Sequence, residues 1–491
     1  MLTPITTQRW DYKAAAHLLN RAGFGGTPAE IEKLVALGPQ GAVASLLDFE
    51  KIPDATKNPE WAKPDPERVQ RVQEFRKLSE EERRKAQREE QQLQRQRMLE
   101  LRGWWLQRMV SGPRPLQEKM TLFWHGHFAT SMEKVREAYY MWRQNELFRR
   151  LCTGGWQQLL TEVAKDPAML IWLDQTQSRR EKPNENFARE LMELFALGEG
   201  NYTEKDVTEA ARALTGWTLD RANQRFAERE RAHDPGSKTI LGRTGNFNGD
   251  DVIKIVVDQP QAARFITAKL WNYFAGTPGS AELNEALADA FRKSGNQFKP
   301  FLRTLFLSEE FYSAEVVRAQ VKSPVQWLVM AVRQLERPLP PPMVCNSMTR
   351  SLGQELFQPP NVKGWDGGLT WITTNNLLTR YNETATLVFG DLKPVMDAAA
   401  GERRNQNAQA ARRLERLRLS GIDTEKLFSP EERFIKDKFI AALERRFLQT
   451  ELKDRQRQAL REFLDARGAM DVDDILGAVR LILCTPDYQL T

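Results

Sequence analysis

One stretch, residues 184 to 217, constrains the fold of this chain more than any other. It reads NENFARELMELFALGEGNYTEKDVTEAARALTGW. Phe187, Leu191, Leu194 and Phe195 recur at helical intervals, with Ala188 and Met192 widening the apolar arc. Gly198 and Gly200 stop that helix, and Thr203 with Asp206 forms a capping box that opens a second one. The pattern predicts two helices joined by a tight polar turn. On the polar side Asn186, Glu190 and Glu193 stand at i, i+4 and i+7, one row along a regular helix. Arg189 lies one helical turn from both Glu185 and Glu193, so a plain surface ladder of ion pairs also fits. In the second helix Asp206, Glu209 and Ala213 share a face, with Arg212 one turn from Glu209.

The same helical grammar runs through the rest. Ala14 to Leu19 form a first helix that ends in the Gly23 to Gly26 turn. Thr27, Pro28 and Glu30 then make a capping box whose helix stops at Gly38. Prolines 53, 59, 64 and 66 mark a linker. From Glu67 to about Met109 a densely charged helix is expected, interrupted near Ser79; uninterrupted it would span roughly 65 Å. Its run RKAQREEQQLQRQR mixes both signs of charge, which suits a solvated arm rather than a nucleic-acid surface. Residues 220 to 250 read as one β-hairpin with a Pro-Gly turn, the only strand pair expected. Charge density rises again from about Ala398 to Asp471, which suggests a second peripheral helical region. The expected fold is mainly α, a multi-helical globular core with one small β-hairpin and charged peripheral helices. The expected division is 1–60, N-terminal core helices; 61–110, the charged arm; 111–395, the main helical core; and 396–491, a charged C-terminal region with a final core helix. The apolar helices at 298–313 and 473–490 end in similar aromatic turns, an echo too faint to mark a duplication.

Composition narrows the function classes. The chain has 491 residues, 41% hydrophobic and 28% charged, enough for a large core under a charged surface. Three scattered cysteines, Cys152, Cys345 and Cys484, exclude a disulfide framework and a cysteine metal site. The net charge of +6 is a small difference between 72 basic and 66 acidic side chains, so nucleic acid is not expected as a partner. No apolar run is long enough for a transmembrane segment, and the first residues show no export signal. A cytoplasmic setting follows, with export as the alternative if the chain is a processed form.

Chemistry is concentrated in the four histidines. His17, within the first helix, reads as a packing residue. His125 and His127 would point about 200° apart on a regular helix, so sharing a metal requires a local break, which Gly126 permits. Two histidines with Glu190 and Glu193 suit a divalent transition metal, zinc, iron or manganese, with a spare glutamate as general base. His233 and Asp234 would cover this site from the hairpin as further catalytic groups. Arg189 and Arg212, with Asn186 and Trp365, would orient the ligands or clamp an anion. The competing expectation is a non-catalytic scaffold, with histidines buried and fully paired. Serine-triad hydrolysis and phosphate-loop chemistry lack their motifs, GxSxG and GxxxxGK[ST].

Read in order, HLLNRAGFG (17–25), FWHGHFAT (123–130), the 184–217 stretch, HDPGSKTILG (233–242) and QPPNVKGWDGG (358–368) carry a family resemblance. The chain resembles the bacterial family catalogued as domain of unknown function 1800 from about residue 10 to 390 and again at the final helix. That resemblance implies a mostly helical protein, often exported and often encoded beside a sulfatase-like protein, which becomes the expected partner. It implies no catalytic residues.

Overall fold

Helix caps written in the sequence set the element boundaries. The computed structural model describes residues 2–390, 419 and 421–491, so residues 396–418 of the expected C-terminal charged region lie outside the described residues. At Thr27 the side chain accepts the Glu30 N–H at 3.3 Å, while Glu30 Oε2 accepts the Thr27 N–H at 2.8 Å. The helix they open at Pro28 stops at Gly38, as the sequence predicts. A positive φ of 67° there bends the chain, and Pro39 starts a second helical run that continues to Leu47. Ser79 and Glu82 form the same reciprocal cap, dividing the arm into Arg68–Lys77 and Glu80–Ser111. The longer piece is buried only from Gln94 onward, so its charged first half stands in solvent.

The histidine helix, Pro115–His127, is buried on nearly every side and stands between two hydrophobic cores. Its Leu116, Met120, Phe123 and Trp124 belong to a core shared with Tyr12–Ala22, Pro260–Ala275 and Phe298–Phe306. Its Leu122 packs into a second core with Trp105, Pro324–Gln334 and Val472–Leu483. Polar residues of this helix are therefore drawn inside with it, and Glu118, Lys119, His125 and His127 are all buried.

The region 217–245 departs from the single hairpin expected. Two separate antiparallel pairs form: β1 (Trp217–Asp220) with β2 (Arg225–Glu228), and β3 (Lys238–Ile240) with β4 (Arg243–Gly245). Pro235 and Gly236 lie between the two sheets, not at a hairpin turn. The second hairpin instead turns at Leu241 and Gly242, both at positive φ, 49° and 81°. Leucine is an unusual residue for that conformation, and the sequence therefore gives no turn signal there.

The two similar helical endings are realised alike. Phe298–Phe306 and Val472–Leu483 each run into a 3₁₀ turn, Glu309–Tyr312 and Asp487–Gln489. Each ending also pairs in a short antiparallel bridge with an extended segment, Ser308 with Pro4 and Leu490 with Val321. No helix among the described residues is long and apolar enough to cross a membrane.

Candidate functional site

The glutamate helix begins as expected, Asn184 capping Glu185–Glu190, and then widens into a π-helical turn, Leu191–Ala196. Asn186 and Glu190 lie in the regular part, whereas Glu193 falls in the wider turn, with its charge still beside Glu190. The surface ladder does not form. Arg189 reaches across to Glu204 of the next helix, Glu204–Ala213, through two bonds of 2.6 and 2.7 Å. Glu185 accepts the Thr208 hydroxyl at 3.0 Å, and Glu193 accepts the Tyr202 hydroxyl at 2.7 Å. Asn186 stands exposed. Glu190 is half-buried, and desolvation followed by the neighbouring Glu193 charge raises its carboxyl above the usual range. The charged side chains of this helix thus serve mainly to fasten it to its neighbour.

At its C-terminal end the π-helical turn meets the histidine helix. Carbonyls that end a helix lack intrahelical partners and need donors from outside. His127 Nε2 supplies one, donating to Phe195 O at 3.0 Å, and Lys269 Nζ supplies another, donating to Leu194 O at 3.1 Å. The proton on His127 therefore sits on Nε2, leaving Nδ1 to face Lys269 Nζ at 3.5 Å. Burial, with Lys269 as a second cause, holds His127 well below its ordinary pKa, so the ring is neutral. Burial, then the charge of Lys363, likewise depresses Lys269 to about 8.

His125 turns the other way, into the second core. Its Nε2 accepts the Phe357 N–H at 3.0 Å, and its ring packs against Trp105, Phe357 and Trp365 at centroid distances of 5.2, 4.9 and 5.6 Å. Phe357 is held at φ 62°, a conformation costly for a bulky residue. Three contacts determine it: the bond to His125, the Met132 N–H donated to its carbonyl at 2.9 Å, and its ring against Trp105. The QPPNVKGWDGG loop also presses Gly364 against the Gly126 carbonyl, where a Cβ would collide. Burial, reinforced by Arg102, lowers His125 to about 3.

His233 and Asp234 sit elsewhere. His233 Nδ1 donates to Thr215 O at 3.1 Å, and the Asp234 N–H donates to Thr215 Oγ1 at 2.8 Å. Arg212 holds the Asp234 carboxylate at 2.7 Å and Glu209 at 3.0 Å. Asp206 and Glu209 accept the N–H groups of Leu241 and Thr239, pinning the β3–β4 hairpin. This network hangs at the Asn184 end of the glutamate helix, through Ser178, which accepts the N–H groups of Asn184 and Gly216. His127 is bonded at the Phe195 end, so the two clusters stand roughly 15 Å apart along the helix.

The expected metal centre therefore lacks its donor set. Among the described residues no three His, Cys, Asp or Glu side chains are placed to hold a metal ion. His125 and His127 face different cores, each with Nε2 bonded to backbone, and neither meets a carboxylate of Glu190 or Glu193. Trp365 is brought to His125 as expected. Zinc, iron or manganese does not fit this arrangement.

A buried ion cluster escaped the sequence reading. Glu118, 1% exposed, accepts from Trp105 Nε1 at 2.9 Å, Arg108 Nε at 2.8 Å and Arg149 Nε at 2.7 Å. Burial alone would raise its carboxyl, but the two guanidinium groups outweigh it and keep it ionised. In the sequence Glu118 looks like an ordinary first-turn acid. Its one signal is an apolar residue two positions away on each side, Leu116 and Met120.

No curated protein matches the chain, and no solved structure matches it. A family model does, over residues 17–490, nearly the whole length and including every motif that carried the resemblance. With the helical architecture and those motif contacts in place, the chain belongs to the family described as protein of unknown function, DUF1800.

Proposed function

We propose that this chain is a non-catalytic helical scaffold or partner protein, and that a sulfatase-like protein is the partner it supports. One observation carries the reading. All four histidines, the residues on which a catalytic or metal reading depends, commit a ring nitrogen to the backbone: His17 to Phe311 O, His125 to Phe357 N, His127 to Phe195 O and His233 to Thr215 O. Each bond joins segments far apart in sequence or locks a loop to a helix, which is the work of a structural pin. Surfaces for a partner are available on the solvated half of the arm and around Leu369, which is 81% exposed, and Leu378, which is 59% exposed.

A second reading, a hydrolase or oxidoreductase with Glu190 as general base, rests on the raised pKa of that half-buried carboxyl beside Glu193. It requires ligands or a substrate site that the histidines do not provide. Tag-free protein analysed by plasma mass spectrometry and then co-expressed with a sulfatase-like protein separates the two. The scaffold reading expects trace metal and co-elution. Near-stoichiometric metal, lost in a still-folded His125→Ala, His127→Ala variant, overturns it; separate elution removes the sulfatase-like partner.

A further inference from the structure

The β1–β2 sheet and the 3₁₀ turn Gln175–Gln177 enclose a cleft of about 510 Å³, within the range of small-molecule sites. Half-buried Ala227 lies on the cleft side of the sheet with its partner Thr218, while Leu219, paired with Phe226 and 4% exposed, turns its side chain to the opposite face and borders the cleft through its backbone. One wall is fixed by the Thr218 hydroxyl donating to Thr176 O at 3.1 Å. Arg221, Arg229 and Gln177 supply the polar lining.

The charges in this cleft do not balance. Its one acid, Asp220, is committed to its own turn: Oδ1 accepts the N–H groups of Ala222 and Asn223, both at 3.1 Å, and Oδ2 accepts Asn223 Nδ2 at 2.7 Å. Its ion-pair contact, at 3.8 Å, is with Arg225, outside the lining. Arg221 and Arg229 are anchored through the backbone: Arg221 O accepts Arg68 Nε at 2.9 Å, and the Arg229 N–H donates to Gly216 O at 2.8 Å. Neither guanidinium is hydrogen-bonded or ion-paired by a described residue. Two exposed forked donors, carried on anchored backbone at the edge of the cleft, have no counter-charge among the described residues and match an oxyanion.

We propose that this cleft binds a small organic oxyanion, a phosphate monoester or a carboxylate. Arg221 and Arg229 grip the charged end, and Ala227, on the cleft face of the sheet, meets the body. The proposal goes beyond the scaffold reading and does not depend on it, since a scaffold can carry a ligand.

Calorimetric titration of the full chain with phenyl phosphate and with benzoate, at constant ionic strength, tests it. At least one is expected to bind with Kd below about 1 mM, and which one binds more tightly identifies the oxyanion. Arg221→Met and Arg229→Met each weaken that binding about tenfold or more, whereas Arg225→Met leaves it unchanged. Should either methionine variant fail to melt cooperatively, the lysine variant at that position, which keeps charge but loses the fork, replaces it and is expected to bind more weakly than wild type. Heats no larger than those of sodium chloride for both anions, or lining variants that bind as wild type does, overturn the proposal.

Discussion

His125, His17 and His127 give the protein a specific acid sensitivity. All three are buried, and desolvation, the largest cause in each, lowers their pKa, to about 3 for His125. A histidine depressed in the fold is neutral there while its unfolded counterpart takes up a proton near pH 6.5. Between that value and the folded pKa the unfolded state binds more protons, so stability is full above pH 6.5 and lost as pH falls. Each such histidine contributes a slope of roughly 1.4 kcal/mol per pH unit in that window. Denaturant melts from pH 7 to pH 4 are expected to show a steep loss, and a folded His125→Gln variant a shallower one. Glu383 acts in the opposite sense. Its carboxyl is 3% exposed, Oε2 has no hydrogen-bond partner, and burial pushes its pKa up to about 7. Its contribution is present below pH 4.5 and lost as pH rises through 7. Glu383→Gln is expected to be more stable than wild type at pH 8 by about 2 to 3 kcal/mol, and urea melts at pH 5 and pH 8 check that the gain shrinks on the acid side. That all four histidines fall in the motif stretches was legible in the sequence. Which atom each would bond was not, since the partner of His125 is Phe357, 232 residues away.

Elements show where local sequence suffices. The capping boxes at Thr27, Ser79 and Thr203 need only four residues each, and all three are formed. Ser79→Ala is expected to cost about 1 kcal/mol, and hydrogen exchange is expected to quicken across the first turns of Glu80–Ser111 while the two cores keep their protection. The π-helical turn at Leu191–Ala196 was not legible, because its carbonyls are satisfied by His127 and Lys269 from two other helices. The turn at Leu241 was missed for a related reason: the Leu241 N–H is held by Asp206, so a contact outside the hairpin supports a conformation that leucine alone disfavours. Glu118 ties three elements through Trp105, Arg108 and Arg149. Glu118→Gln takes the shared carboxylate from two buried guanidinium groups, leaving Arg108 with Asp54 and Arg149 with Glu146, and is expected to cost about 3 kcal/mol in a denaturant melt.

At the scale of the molecule, two hydrophobic cores share the histidine helix, and the motif stretches are the places where distant segments are fastened to it or to its neighbours. The helical class was legible because periodicity and caps are local properties. The motif stretches that hold the candidate residues were legible in the sequence, but the contacts those residues make were not. His233 and Asp234 are gathered on Arg212 and Thr215, and His125 and His127 on opposite cores, by contacts between residues 18 to 232 positions apart. The central claim is that these histidines pin the fold and bind no metal. Nitrogen-15 NMR of the imidazole rings at pH 7, recorded before and after one equivalent of zinc, tests it most directly. The account predicts neutral rings, the proton on Nδ1 in His125 and on Nε2 in His127, with both spectra unchanged by zinc. Zinc-dependent shifts of both rings, or a charged ring in either, would contradict it.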